Sequence, residues 1–217
     1  MAEYMIQEET LVELADVIRD KLGEENLRIL EQTIALISKR DNFNIEYLPS
    51  DLMSIGRSAF YNCTNLALTS LPEGITSIGN SAFYNCTNLA LTSLPEGITS
   101  IGYSVFYNCT NLALTSLPEG ITSIGQNAFY DCTNLALTSL PEGLRSIGLA
   151  AFCKCTNLTT LTFKGTPSRS GVVDSAFRNC TNLTTINVPW AEGAVAGAPW
   201  GATNATINYN YTGGADA

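Results

Sequence analysis

Histidine is missing from this 217-residue sequence altogether. Its absence excludes a Ser-His-Asp or Cys-His nucleophile, a histidine metal ligand and the commonest general base. The phosphate-binding pattern G-x-x-x-x-G-K-[ST] is missing as well. We therefore predict that the protein is not an enzyme and that it needs no cofactor.

Charge is also scarce, since only 14% of the residues are Asp, Glu, Lys or Arg. The net charge of −9 is uneven: residues 1–47 hold 11 acidic and 5 basic residues, and residues 48–217 hold 9 acidic and 6 basic residues. No cluster of Lys and Arg occurs in either part. Nucleic acid is therefore not expected as a partner, because phosphate binding needs clustered cations.

No apolar run approaches the ~20 residues that span a bilayer, so we predict no membrane insertion. The first twenty residues, MAEYMIQEETLVELADVIRD, are acidic and amphipathic, whereas a secretory signal has a basic start and an apolar middle. The expectation is a protein made in the bacterial cytoplasm.

A 23-residue repeat organises most of the chain. Consecutive copies at 71–93, 94–116 and 117–139 share the frame LPEGITSIG-x-x-x-FY-x-CTNLALTS. Copies at 48–70 and 140–162 carry more substitutions. A sixth copy starts at Phe163 and has two extra residues within 165–171. A fixed period of this length is typical of a solenoid, in which each unit buries its apolar face only against its neighbours.

Each repeat contains the same short elements. The Thr-Asn-Leu motif and the apolar residues after it predict a strand, Pro-Glu-Gly at 72–74 predicts a turn, and 81–86 is long enough for one helical turn. We predict a β-rich solenoid of about six turns. Its domains are an N-terminal α-helical cap at 1–47, the repeats at 48–187 and a C-terminal cap at 188–217.

This pattern resembles the BspA-like leucine-rich-repeat family. The match covers about residues 48–188, where A-F-x-x-C-T-N-L recurs six times with Val105 replacing Ala once. Its signature residues in one repeat are Ile78-Gly79, Ala82-Phe83, Cys86-Thr87-Asn88-Leu89 and Leu94-Pro95. The resemblance implies a leucine-rich-repeat fold and a binding role, since the family includes surface adhesins. It implies no chemistry.

The N-terminal region reads as two amphipathic helices at 6–21 and 24–39. Leu11, Leu14 and Ile18 follow helical spacing in the first helix, and Leu30 and Ile34 do so in the second. Two interpretations stay open. The pair caps the first repeat, as an open solenoid requires, or it docks the protein to another chain and forms a homo-oligomer.

The C-terminal segment breaks the repeat. It holds both tryptophans of the chain, Trp190 and Trp200, which we expect to cover the last turn, and 205–211 alternates like an edge strand. The runs at 188–190, 198–201 and 205–207 are similar to a C-terminal cap of repeat proteins encoded in tail-gene regions of phages and prophages of gut bacteria. The segment 15–21 is similar to an N-terminal helical segment of such proteins.

Six of the seven cysteines recur with the period. They predict a reduced, buried ladder, although disulfide and metal interpretations stay open, because stacked positions lie ~5 Å apart. Cys153 falls outside this frame, at a position where other repeats have Tyr, so it is the expected exposed thiol. The ladder consists of Cys63, Cys86, Cys109, Cys132, Cys155 and Cys180.

Two columns of equivalent positions form the candidate binding face. Tyrosine is favoured at recognition surfaces, so the first column is Tyr61, Tyr84, Tyr107 and Tyr130. The second column differs at every repeat while its neighbours barely change, which indicates solvent exposure; it consists of Arg57, Asn80, Tyr103, Gln126 and Leu149. The variation equally fits neutral drift on a polar surface.

Two further columns read as architecture. The Asn of each Thr-Asn-Leu motif is expected to bond backbone groups in a turn. The glutamates at 73, 96, 119 and 142 would stack as a solvated column, with weak cation binding as the alternative.

The sequence thus favours a non-enzymatic binding protein. The first hypothesis is a phage or prophage tail-associated component that recognises a protein or a cell-surface glycan, contacts other tail or baseplate proteins and resides in the virion. The alternative is a BspA-like adhesin at the cell surface or an intracellular interaction scaffold.

Overall fold

A computed structural model describes residues 48–168 and 171–212. The two predicted helices at 6–21 and 24–39 lie outside these residues, so the N-terminal helical cap remains a prediction. The described chain is a solenoid built from turns of about 23 residues, here called rungs. The rungs are numbered in chain order and start at residues 48, 71, 94, 117, 140, 163 and 188. Its strands are β1 (Ser54–Ile55), β2 (Ser77–Ile78), β3 (Ser100–Ile101), β4 (Ser123–Ile124), β5 (Ser139–Leu140), β6 (Ser146–Ile147), β7 (Thr160–Phe163), β8 (Thr185–Asn187) and β9 (Thr206–Asn208).

All strand pairs are parallel and join equivalent positions of successive rungs. One side of the solenoid carries a two-stranded sheet, β1-β2, and a three-stranded sheet, β3-β4-β6. Ser54 lies opposite Ser77 in the first, and Ser100 lies opposite Ser123 in the second. The other side carries the sheet β5-β7-β8-β9. Strands of two residues are short because the chain turns away again after each buried Ile.

The solenoid has about seven rungs, so the expectation of six was wrong by one. The C-terminal segment, which was expected to break the repeat, continues it: β9 pairs with β8, with Thr206 opposite Thr185 and Ile207 opposite Ile186. The reason is local, since Thr-Ile-Asn occurs in both strands. The Asn204 amide donates to the Thr181 carbonyl at 3.0 Å, which repeats the role of the asparagine column.

The predicted helical turn at 81–86 is absent, and no described residue is helical. Ser81 and Asn85 have φ of 57° and 59°, in the left-handed region that Asn tolerates and most other residues avoid. This alternation directs the N–H groups of Ser81, Phe83 and Asn85 toward carbonyls of the next rung, at 2.7–2.9 Å. Hydrogen bonds between rungs replace those that a helix would make within one.

The core is a stack of identical layers. Phenylalanine rings lie 5.3–5.5 Å apart and within 12° of parallel along six rungs. In the same rung as Phe177, the last of them, Phe163 packs against Phe177, Trp190 and Trp200 at tilted or edge-on angles. Both tryptophans are buried. The column consists of Phe60, Phe83, Phe106, Phe129, Phe152 and Phe177.

Glycine is required where rungs approach most closely. A Cβ atom at Gly79 would lie 2.5 Å from the backbone nitrogen of Arg57, closer than any side chain permits. The Gly79 N–H donates to the Ile55 carbonyl at 2.8 Å, so this contact also carries an inter-rung hydrogen bond. The recurring Ile-Gly pair therefore sets the spacing on this side of the solenoid.

Candidate binding face along the tyrosine column

Four tyrosines stack in register on the outside of rungs 1–4. Their ring centroids are 4.5–4.6 Å apart and successive rings lie within 11° of parallel. The period places one phenol at the same point of each rung, directly after the buried Phe. This set, called the tyrosine ladder below, consists of Tyr61, Tyr84, Tyr107 and Tyr130.

Stacking determines which part of each tyrosine ring is accessible to a binding partner. Tyr61 is 38% exposed and the other three rings are half-buried. Each inner ring covers its neighbours' faces, so a ring reaches solvent by its edge. Burial raises the pKa of Tyr107, and the adjacent phenols of Tyr84 and Tyr130 raise it further. The Tyr107 hydroxyl in the middle of the ladder is therefore neutral at ordinary pH.

An asparagine ladder lies next to the tyrosines. Asn62, Asn85 and Asn108 directly follow the first three tyrosines, and all three have left-handed φ. The Asn108 side-chain amide donates to the Asn85 side-chain oxygen. The backbone N–H of Asn85 donates to the Tyr107 carbonyl at 2.7 Å. Asparagine is therefore needed here for its left-handed backbone conformation, and its side chains form a polar row beside the phenols.

The second candidate column is exposed throughout. Arg57, Asn80, Tyr103 and Gln126 all reach solvent, Tyr103 to 49%. Asn80 does more than face water, because its side-chain oxygen accepts the Tyr103 N–H at 2.9 Å. Strands β2 and β3 do not pair with each other, and this contact adds to the backbone hydrogen bonds that join their two rungs. Sequence reasoning missed the bond, since nothing distinguishes Asn80 from its exposed equivalents.

The tyrosine ladder ends after rung 4. Lys154 lies over the Tyr130 ring, 5.2 Å from its centroid, and its Nζ is 3.8 Å from Asp131. The Tyr130 hydroxyl and then Asp131 raise the pKa of Lys154. Cys153 occupies the tyrosine position in this rung. The expectation of an exposed thiol there was wrong: Cys153 is only 4% exposed.

The cysteines lie behind this face, and all seven are buried. In five rungs the thiol donates to the Phe carbonyl of the preceding rung at 2.9–3.1 Å, as Cys86 does to Phe60. Burial, followed by neighbouring thiols, raises the pKa of Cys109 well above its usual value. Burial likewise raises the pKa of Cys180, to about 12. Because these buried thiols donate hydrogen bonds from one rung to the preceding one, they help to hold the stack together.

The glutamate column is exposed, and Glu119 forms an ion pair with Lys164 two rungs further on. The hydrogen bond from Lys164 is the main cause that lowers the pKa of Glu119. Within residues 48–168 and 171–212, no cluster of three or more Cys, Asp or Glu side chains could hold a metal ion. In the same residues, no helix is long and apolar enough to cross a membrane.

Solved structures share this architecture. A leucine-rich repeat protein from Bacteroides ovatus is 26% identical, with a TM-score of 0.56 over 68% of this chain and 40% of that one. The T. pallidum leucine-rich repeat protein is 30% identical, with a TM-score of 0.56 over 67% of this chain and 71% of that one. The chain thus spans less than half of the Bacteroides protein. No curated protein matches it.

Family membership follows from the repeats. Residues 38–159 and 99–192 match the family described as the BspA type leucine-rich repeat region, in six copies. Together the two matches cover well over half of the chain. Repeat solenoids of this kind are generally non-enzymatic and provide extended surfaces for binding other proteins. The chain belongs to the BspA-type leucine-rich-repeat family.

Proposed function

We propose that this protein binds a protein or a cell-surface glycan through the tyrosine ladder and the exposed column beside it. The observation that carries this proposal is the regular row of phenols, held by stacking on a rigid core. Tyrosine offers a large contact at little entropic cost, and here its conformation is already restricted before binding. The side chains at Arg57, Asn80, Tyr103 and Gln126 would adapt the surface to one partner.

A triple substitution tests the face. Replacing Tyr84, Tyr103 and Tyr107 by Ser should abolish adsorption of the purified protein to its target cells while the fold persists. Thr92→Ala with Thr115→Ala is the matched control, since these exposed residues lie in the same rungs, away from the ladder. Unchanged adsorption of the tyrosine variant, with far-UV circular dichroism as the check on folding, would remove this surface as the binding site.

We further propose that the protein acts in a phage or prophage tail. The support is the resemblance of its terminal segments to repeat proteins encoded in tail-gene regions. In this proposal the protein is made in the bacterial cytoplasm and assembled into the virion, residues 1–47 attach to tail or baseplate proteins or to a second copy, and the repeats face outward.

Particle composition tests this location. Phage particles induced from the source strain and purified on a density gradient should contain the protein in fixed ratio to tail proteins, and deletion of residues 1–42 should abolish incorporation. Absence from particles, with the protein found instead in the cell envelope, would overturn the tail role. It would favour the alternative of a bacterial adhesin, which the family match supports, and recovery in the cytosol alone would favour an intracellular scaffold.

A further inference from the structure

We propose that the tyrosine ladder binds a neutral polysaccharide chain that lies along the solenoid axis, with about one sugar ring for each rung. This inference rests on the proposed function and specifies the ligand class and the way it is held. The contacts would be hydrogen bonds from hydroxyl and amide groups rather than stacking of sugars on aromatic faces.

The first argument is the orientation of the rings. An aromatic platform that stacks sugars must present open ring faces. In this ladder successive centroids are 4.5–4.6 Å apart, so the faces of Tyr84 and Tyr107 are covered on both sides. What remains for a ligand is a row of ring edges and hydroxyl groups, flanked by the side-chain amides of Asn85 and Asn108. Each of these polar groups can take part in hydrogen bonds with sugar hydroxyls.

The second argument is the repeat distance. An extended polysaccharide advances by one sugar ring per unit, a length close to the ~4.8 Å separation of stacked strands. An extended peptide advances ~3.3 Å per residue and presents like side chains every second residue, so its period does not match the ladder. A polysaccharide whose successive rings keep one orientation would therefore present one sugar ring to each rung of the ladder, whereas an extended peptide would not keep this register.

The third argument is charge. Between Tyr61 and Tyr107 the ladder and its asparagine neighbours are uncharged. At the far end, Lys154 is matched by Asp131, 3.8 Å away. Beside this neutral stretch the exposed column holds a single cation, Arg57, and the acidic net charge of the chain disfavours a polyanion. A neutral, hydroxyl-rich polymer fits this surface best.

Affinity electrophoresis of the full chain tests the inference. Native gels would contain a soluble β-glucan, an α-mannan or a galactan, with alginate as the polyanion. The variant is Tyr84→Phe with Tyr107→Phe, which keeps the stack and removes two hydroxyls. The control is Thr92→Val with Thr115→Val, which removes two exposed hydroxyls from the same rungs away from the ladder. Loss of two hydrogen bonds predicts binding weaker by about tenfold or more for the tyrosine variant alone.

Retardation by at least one neutral polysaccharide, lost in the Tyr→Phe variant and kept in the Thr→Val control, supports the proposal. No retardation in any neutral gel, retardation in alginate alone, or equal retardation of the Tyr→Phe variant overturns it. Adsorption to cells distinguishes a failure of the polysaccharide proposal from a failure of the proposed binding face. If adsorption needs the tyrosines, and if treating the cells with protease but not with periodate abolishes it, the partner is a protein. That result would keep the tyrosine ladder as the binding face and overturn the polysaccharide proposal.

Discussion

Rungs 1–4 and rungs 5–7 use the same core and different surfaces. The phenylalanine column runs from rung 1 to rung 6 with unchanged spacing, and rung 7 contributes the buried Trp190 and Trp200. The tyrosine ladder stops after rung 4. Cys153 occupies the equivalent position in rung 5, and Arg178 occupies it in rung 6. A buried column must continue, because any gap leaves a cavity between layers. An exposed column is free to end, so the surface of rungs 1–4 is the better candidate for a function.

The two regions also place their apolar residues differently. From rung 4 into the start of rung 5 the buried positions on the second side are 135, 137 and 140, whereas one rung later they are 158, 161 and 163. The two consecutive outward residues therefore fall at Thr138-Ser139 in one rung and at Thr159-Thr160 in the other. As a result, outward and buried residues alternate regularly along the four residues of β7, whereas β5 is only two residues long.

Alkaline pH should have the largest effect. Burial raises the pKa of five thiols, so the folded state holds their protons more tightly than the unfolded chain, whose thiols titrate near ~8.5. Their contribution to stability is complete below that pH and is lost as pH rises toward the folded values, by at most about 1.4 kcal/mol per pH unit for each thiol. The five are Cys109, Cys132, Cys153, Cys155 and Cys180.

Urea unfolding between pH 7.5 and 10 measures this loss. Fluorescence of Trp190 and Trp200, the only tryptophans, reports on rungs 5–7, and far-UV circular dichroism reports on the whole solenoid. The control is Cys153→Ser, which removes one thiol and should flatten the dependence slightly. A free energy of unfolding that does not change up to pH 10 would contradict the shifted thiol pKa values.

Phe106→Ala should cost about 3–5 kcal/mol, because the ring is fully buried between two others. Tyr107→Ala, one residue along, removes a half-buried ring and should cost less than half as much. Denaturant unfolding of both variants measures the difference. Equal losses would mean that the tyrosine ladder is a second core rather than a surface.

The spacing of buried apolar residues in rung 4 can be converted to that of rung 5 by two substitutions. Leu137→Thr alone should cost about 2–4 kcal/mol, since it removes a buried Leu and places a hydroxyl in the core. Adding Thr138→Leu creates the rung 5 spacing in rung 4 and should recover part of the loss. A thermodynamic cycle of the two single variants and the double variant tests this. Additive losses would show that the apolar spacing does not direct which residues face inward.

Ala150→Asn should give the smallest effect, a gain of about 0.5–1 kcal/mol. Ala150 has φ of 52°, and the equivalent position is Asn127 in rung 4 and Ser in rungs 1–3. Asparagine tolerates this left-handed conformation better than alanine does. Thermal unfolding measures the gain. A melting temperature that stays the same or falls would show that rung 5 carries no strain at this position.

Most of the architecture could be predicted from the period alone. Equivalent positions must stack when a short repeat recurs, so the buried Phe and Cys columns and the exposed columns follow from the pattern. The thiol-to-carbonyl bonds could not be predicted, because they join Cys86 to Phe60 across rungs and leave no mark in either segment. The same holds for the Asn80 contact with Tyr103.

The sequence by itself determined a stacked solenoid, its family and the two columns worth testing. Only the tertiary structure decided that the last segment forms a seventh rung, that 81–86 is not helical and that the tyrosine faces cover one another. The physical reason is common to all three. Each depends on hydrogen bonds and ring contacts between neighbouring rungs, whereas local propensity describes one rung at a time.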